Sequence, residues 1–316
     1  MTDQDIQSKI DTATELLKEA RIYYEHSDYN ESERCANEVL ALLEPLTGRD
    51  DLGDGRDKTS QKHTIIEQLA HVYNRLNTIS GSRGENVLAL SQAEIALQFS
   101  EVSGNLQRKG ALLGNIGFVY RNLGDSAKAL EYMQKALTLF EELGDKEGIA
   151  ANLGQYGLVY WDVSDYAKAL EYLQKALAIY EELGGNEGIA INLSNMGSVY
   201  GKIGEHGKAL EYFQRALAIN EKIGRIAGIA NNLGSMGAIY ADRTFDGYDA
   251  AKAEEFLLKA LAFCDEIGEK PLEYEFLKYL ADLYEQEERW KDFAINLKKF
   301  YEVEKKVQSE EAKKQA

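Results

Sequence analysis

The strongest constraint on this chain is a block that returns every 40 residues: GFVYRNLGDSAKALEYMQKAL from Gly117, GLVYWDVSDYAKALEYLQKAL from Gly157 and GSVYGKIGEHGKALEYFQRAL from Gly197. A unit that recurs at fixed period cannot bury its apolar face alone and must stack on its neighbours, so its product is surface rather than a closed catalytic pocket. Fainter copies extend the array in both directions. One begins at Gly228, and its Lys252 lies 44 residues after Lys208, so four residues are inserted around Arg243–Gly247. Another runs from Glu275 to Tyr301. Upstream, Ala70 and Tyr73 mark a first helix, a longer turn covers 77–85, and NVLALSQAEIAL supplies the second helix; the first copy carries Ala20, Tyr23, Asp28, Tyr29 and Leu40. The sequence predicts seven repeats, at about 8–50, 62–106, 107–147, 148–187, 188–227, 228–270 and 271–308, as one array over 1–308 followed by a charged helical tail, 309–316.

The repeated residues Gly117, Tyr120, Gly124, Asp125, Ala129, Tyr132, Ala136 and Leu137, with Gly157, Tyr160, Asp165, Ala169, Tyr172, Ala176 and Leu177 one period later, resemble the tetratricopeptide repeat. The resemblance implies an all-α fold, a right-handed α–α superhelical solenoid of seven helix pairs. The family's minimal unit is about 34 residues, so each pair here gains extra turns. In this lengthened form the chain resembles kinesin light chains, spindle-orientation adaptors, bacterial Rap-type regulators and the input arrays of bacterial multidomain sensor proteins.

Local signals agree with alternating helices. Asp125 and Asp165 precede the second helices and can accept their first free N–H groups, while Gly144, Gly184, Gly224 and Gly268 stand where those helices must stop. Only two prolines occur, Pro45 and Pro271, the latter at an expected helix start, where a missing N–H costs nothing. Cys35 and Cys264 fall in different repeats and read as reduced core thiols. The N-terminus lacks a basic segment followed by an apolar run, and no stretch reaches membrane-spanning length. The expectation is a cytoplasmic protein with no membrane partner.

Fifty-three acidic residues against 36 basic ones give a net charge of −17. Such an array repels phosphate backbones, and no run of Lys and Arg interleaved with aromatics offsets it, so nucleic acid is not expected as a ligand. The acidity suits a basic peptide, and it equally suits plain solubility of a Glu-rich helical surface.

An α-helix advances about 100° per residue. Taking Ala111 as zero, Leu113, Ile116, Gly117 and Tyr120 fall in one apolar sector between about 140° and 240°; Gly114, Phe118, Arg121 and Asn122 lie opposite. In tetratricopeptide proteins the free face of the first helices lines a concave peptide groove, and the resemblance implies the same here. Equivalent positions read Phe118, Leu158, Ser198 and Ala238; Arg121, Trp161, Gly201 and Ala241; Asn122, Asp162, Lys202 and Asp242. Trp161 is the natural anchor, since buried aromatics carry much interface energy; the competing reading lays its ring against the adjacent first helix. An edge row, Asn115, Gln155, Asn195 and Ser235, partly matches the asparagine ladder with which long-repeat relatives hold a peptide backbone. Asn152, Asn192 and Asn232 also recur, but nearer the core, where bonding across the seam between repeats suits them better.

The groove positions lack the Lys and Asn of the carboxylate clamp found in chaperone cofactors. Gly114, Gly154 and Gly234 stand on the predicted groove face without a packing reason; recent duplication, a soft superhelix or close approach of a ligand backbone would each account for them. His26, His63, His71 and His206 are scattered, no nucleophile stands with a base, and GRDDLGDGRDKTS from Gly48 lacks the glycine and oxygen ligands of a phosphate or calcium loop. No catalytic residue, metal or cofactor is expected. The last helix continues as YEVEKKVQSEEAKKQA with only Val303 and Val307 to pack. Two functions follow: a non-enzymatic protein–protein interaction scaffold binding a peptide or partner helix in the groove, or a regulatory input region of a larger bacterial signalling protein with a kinase, nucleotide-cyclase or DNA-binding output, in which the C-terminal helix supports a homodimer.

Overall fold

The structure, a computed structural model, describes residues 2–25, 29–47, 56–82 and 84–315, and the side chains of all these except 3, 25, 56–59, 82 and 308–315. His26, Asp28 and the polar stretch 48–55 therefore lie outside the described residues. The chain divides into two compact units, Met1–Gly148 and Ile149–Ala316.

In the first unit α1 (Asp3–Glu25) pairs with α2 (Tyr29–Leu43), α3 (Arg56–Ser82) with α4 (Asn86–Ser103), and α5 (Leu106–Asn122) with α6 (Ser126–Leu143). A short 3-10 turn at Glu44–Leu46 holds Pro45. The second unit takes in most of α7 (Lys146–Asp162), then α8 (Tyr166–Leu183), α9 (Asn186–Lys202) with α10 (His206–Ile223), α11 (Ile226–Tyr240) with α12 (Ala250–Ile267), and α13 (Lys270–Gln286) with α14 (Trp290–Gln315). Among the described residues every regular element is a helix, and the helices pack pairwise as a repeat array. Within each unit successive first helices also touch, α1 with α3 and α3 with α5, α9 with α11 and α11 with α13.

A small set of contacts recurs among the pairs. Asp125, Asp165 and Asp249 accept the backbone N–H of Lys128, Lys168 and Lys252 at 3.0, 3.2 and 3.0 Å. Such a cap contributes about 1 kcal/mol. Gly144, Gly184, Gly224 and Gly268 end the second helices at φ of 65°, 69°, 70° and 73°, left-handed values that spare only glycine a steric cost. Pro271 sits in the first turn of α13 as expected. Inside the three central pairs a ring from the first helix stacks on one from the second, Tyr120 on Tyr132, Tyr160 on Tyr172 and Tyr200 on Tyr212, with centroids 5.4, 5.3 and 5.2 Å apart. Lys128, Lys168 and Lys208 reach back over Tyr120, Tyr160 and Tyr200. The helices approach closely because a glycine faces the partner: a Cβ on Gly117 would lie 2.7 Å from Met133, and one on Gly157 only 2.6 Å from Leu173. Cys35 and Cys264 are fully buried free thiols, and burial pushes the Cys264 thiol up to about 12.

The structure corrects the reading of Gly154 and Gly234 as unexplained groove glycines. A Cβ on Gly154 would meet Asn192 Oδ1 at 3.3 Å, and one on Gly234 would meet the Phe276 ring at 2.1 Å. Between them in the same row stands Ser194, whose hydroxyl donates to Asn232 Oδ1 at 2.8 Å. Each small residue thus receives a side chain from the next first helix, and Asn232 bonds across the seam between repeats as its position suggested. The need is packing, and it arises only when two repeats are stacked.

Candidate functional site

The twelve groove residues read from the sequence divide between the units. In the first, Asn115, Phe118 and Arg121 are part-buried on α5 and Asn122 is exposed at its end. Asn115 donates from Nδ2 to Asn74 Oδ1 at 2.7 Å, which ties α5 to α3 by one rung of amide side chains. In the second unit Gln155, Leu158 and Trp161 are part-buried on α7 with Asp162 exposed, Asn195 and Ser198 are part-buried on α9 with Lys202 exposed, and Asp242 follows α11.

Four of these, Trp161, Ser198, Lys202 and Asp242, meet in one recess of about 270 Å³ in the second unit. Gly201, Ser235 and Ala238 from the same helical rows form its floor, and α13 closes it with Glu275, Phe276 and Tyr279. Trp161 touches the second helix of its own pair as well as the recess. Its ring packs edge-on against Tyr166, with centroids 5.8 Å apart, and it also borders the open recess. Gly201 borders the same recess, and a Cβ added there would meet only Ala209, at 3.9 Å.

The polar side of the recess is arranged around Asp242. Its carboxylate accepts the Thr244 backbone N–H at 2.8 Å and the Thr244 hydroxyl at 2.7 Å, and Asp242 Oδ2 lies 3.4 Å from His206 Nε2. The Thr244 backbone bond, then its hydroxyl, hold the Asp242 carboxyl below the usual range, so it is ionised at neutral pH. Opposite, the Tyr279 hydroxyl donates to Glu275 at 2.9 Å, and burial with that carboxylate beside it pushes the phenol up to about 12. His206 rests against Phe245, ring centroids 5.3 Å apart. Phe245 belongs to the four-residue insertion, which is pinned to the end of α13 by Arg243 donating to the Gln286 carbonyl at 2.6 Å and to Glu287 at 3.0 Å.

Sequence reasoning missed Tyr279, Glu275, Phe276 and His206. Aligning Tyr284 with Tyr240 would have placed Tyr279 in the row of Asn115, Gln155, Asn195 and Ser235, and Phe276 in the row of Asn152, Asn192 and Asn232. His206 carries no such signal, because it opens a second helix and reaches the recess only by way of the inserted loop. Among the described residues no three His, Cys, Asp or Glu side chains are grouped to hold a metal ion, and no helix is long and apolar enough to cross a membrane.

Residues 108–182 and 148–222 match the family model for the tetratricopeptide repeat. Residues 108–222 are thus tetratricopeptide repeats, and the described helices on either side of them keep to the same pairwise packing. Among solved structures it is similar to a Rap protein complexed with competence and sporulation factor, at TM-score 0.71 and 16% identity, covering 95% of this chain and 76% of that one. It is similar also to the Rap conjugation gene regulator of plasmid pLS20 in complex with the Phr* peptide, at TM-score 0.71 and 14% identity over 98% and 78% of the two chains. A signal-transduction ATPase with a tetratricopeptide repeat sensor from Pyrococcus horikoshii aligns at TM-score 0.60 and 17% identity, covering 90% of this chain and 44% of that one. At these identities the likeness is one of fold. No curated protein matches the sequence.

Proposed function

We propose that this chain is a non-enzymatic protein–protein interaction scaffold that binds a peptide or partner helix along the free face of its first helices, with the recess around Trp161 as its anchoring subsite. The observation that carries this is the meeting in that recess of four residues read from the sequence as groove positions, Trp161, Ser198, Lys202 and Asp242. An indole edge, a phenol and two carboxylates, Asp242 and Glu275, suit a side chain with an apolar stem and a positive tip, which favours a basic peptide. Two of the similar structures are complexes, one with competence and sporulation factor and one with the Phr* peptide, which supports the same use of this fold here.

The test is selection of short random peptides displayed on phage against the 316-residue chain, with each enriched peptide retitrated against Trp161→Ala and Asp242→Asn. Peptides rich in Lys or Arg should emerge, and each substitution should weaken them about tenfold or more. Enrichment of peptides indifferent to both substitutions would refute the assignment. The regulatory reading has its own support in α14, where Trp290 and Tyr301, eleven residues apart and so nearly on one side of the helix, are 59% and 57% exposed. If that helix joins two copies, Tyr301→Glu abolishes a dimer seen by analytical ultracentrifugation; a monomer at all concentrations removes the reading.

A further inference from the structure

His206 borders two openings of the second unit. One is the recess; the other is a cavity of about 390 Å³ between the start of α10 and the inserted loop, where Thr244, Phe245 and Asp246 face it. The ring rests on Phe245, its Nε2 lies 3.4 Å from Asp242 Oδ2, and the side chain is 13% exposed. Nδ1 is buried and has no hydrogen-bond partner. The charge on this ring is therefore felt first by Asp242, whose carboxylate two bonds from Thr244 keep ionised. The equivalent positions of α6 and α8 are Ser126 and Tyr166, so of these three pairs only this one places a histidine there. Each element that shares the two openings adds its own charges. On the recess side α9 supplies Lys202, the end of α11 Asp242, and α13 Glu275, which accepts from the Tyr279 phenol. On the other side Asp246 comes from the loop, while Glu205 and Lys208 at the start of α10 pair with each other at 3.4 Å. With His206 neutral the recess thus holds two carboxylates against one ammonium; with His206 protonated the signs balance.

We propose that His206 makes the recess around Trp161 a pH-gated subsite, which holds the positive tip of a basic peptide while the imidazole is neutral and releases it once the ring is protonated. This rests on the reading of the recess as a subsite for a positive side chain. Histidine is the side chain whose charge ordinarily changes between about pH 5 and 8. Protonation cancels the excess negative charge of the recess, and it gives Asp242 an ionic partner inside the protein, so the carboxylate that receives the ligand's tip is already engaged. Arg243, next in the chain, is fixed to the end of α13, which keeps Asp242 beside the ring.

The experiment uses the whole chain and two rhodamine-labelled probes, a peptide alternating Arg with Ser and its Gln analogue, followed by anisotropy at about pH 8 and about pH 5.5 at equal ionic strength. At the higher pH the Arg peptide should bind tighter than the Gln analogue and lose affinity with Trp161→Ala; at the lower pH its binding to the wild type should be about fivefold or more weaker. In His206→Gln the two affinities should agree within about twofold, whatever their common value. The reciprocal measurement needs no variant: saturation with the Arg peptide should move the titration midpoint of the His206 ring signal, read by NMR, to lower pH, because a ligand that favours the neutral ring is itself disfavoured by the proton. A histidine that only fills space would show no such shift. If the Arg peptide binds no better than the Gln analogue at the higher pH, or ignores Trp161→Ala, the recess reading itself fails and takes this proposal with it. If it binds through Trp161 but keeps its affinity at the lower pH, loses it equally in His206→Gln, or leaves the His206 midpoint in place, the gating alone is overturned.

Discussion

Gly234→Ala is expected to destabilise the second unit, although by helix propensity alone it should help. The added methyl would stand 2.1 Å from Phe276 Cε1, and ordinary carbon contact begins near 3.4 Å, so the ring must yield by about 1.3 Å. Phe276 is 1% exposed and sits among Leu233, Leu257, Leu280 and Leu283, which leaves it little room to withdraw. Overpacking of this kind costs about 1–3 kcal/mol, of which the upper part, about 2–3, applies to so deep an overlap; replacing a helical glycine returns up to about 1 kcal/mol, leaving a net loss of about 1–2 kcal/mol. With a urea slope of about 2 kcal/mol/M the unfolding midpoint should fall by about 0.5–1 M. Phe276→Leu in the same background should recover part of the loss, with a coupling of about 1 kcal/mol or more in the double-mutant cycle. Gly207→Ala serves as the control, because nothing lies within 4 Å of its added Cβ; it should hold or gain stability. Since Phe276 also lines the recess, Gly234→Ala should weaken any peptide that depends on Trp161. A midpoint for Gly234→Ala at or above that of the wild type would refute the packing account.

Replacing Asn115 or Asn74 with Ala should each cost about 1 kcal/mol, and the double variant less than their sum, as read from urea unfolding, because they share one part-buried bond of 2.7 Å. Stability should fall as pH drops from about 6.5 to about 4: His71 stays neutral in the fold down to about 4 while the unfolded chain takes up the proton from about 6.5, so protons favour unfolding in that window. The loss is at most about 3 kcal/mol, and His71→Gln should reduce the slope of unfolding free energy against pH over that range.

Much of the fold was legible because a repeat states each of its contacts several times. The Tyr–Tyr stacks, the aspartate caps and the left-handed glycines recur at 40-residue spacing, and each depends on residues of a single pair or its flanking turns, which sequence distance alone brings together. Which residues share a row along the first helices was legible for the same reason, as angle along a helix follows from residue number. The candidate site was legible only in part. Trp161, Ser198, Lys202 and Asp242 lie on rows that periodicity exposes, but Tyr279 and Phe276 sit in a terminal copy too diverged to align at first sight, and His206 enters by way of an inserted loop.

The amino-acid sequence by itself therefore determined the helices, their pairing and which residues share a row on each first helix, since these follow from local hydrogen bonding and a fixed rotation per residue. Only the tertiary structure decided what the small residues Gly154, Ser194 and Gly234 are for, and that Arg108 reaches across from α5 to the Glu67 carbonyl and carboxylate. Those contacts form between successive first helices, where side chains some forty or more residues apart meet only after the repeats have stacked, and the size of a residue in one repeat is set by what the next one inserts beside it.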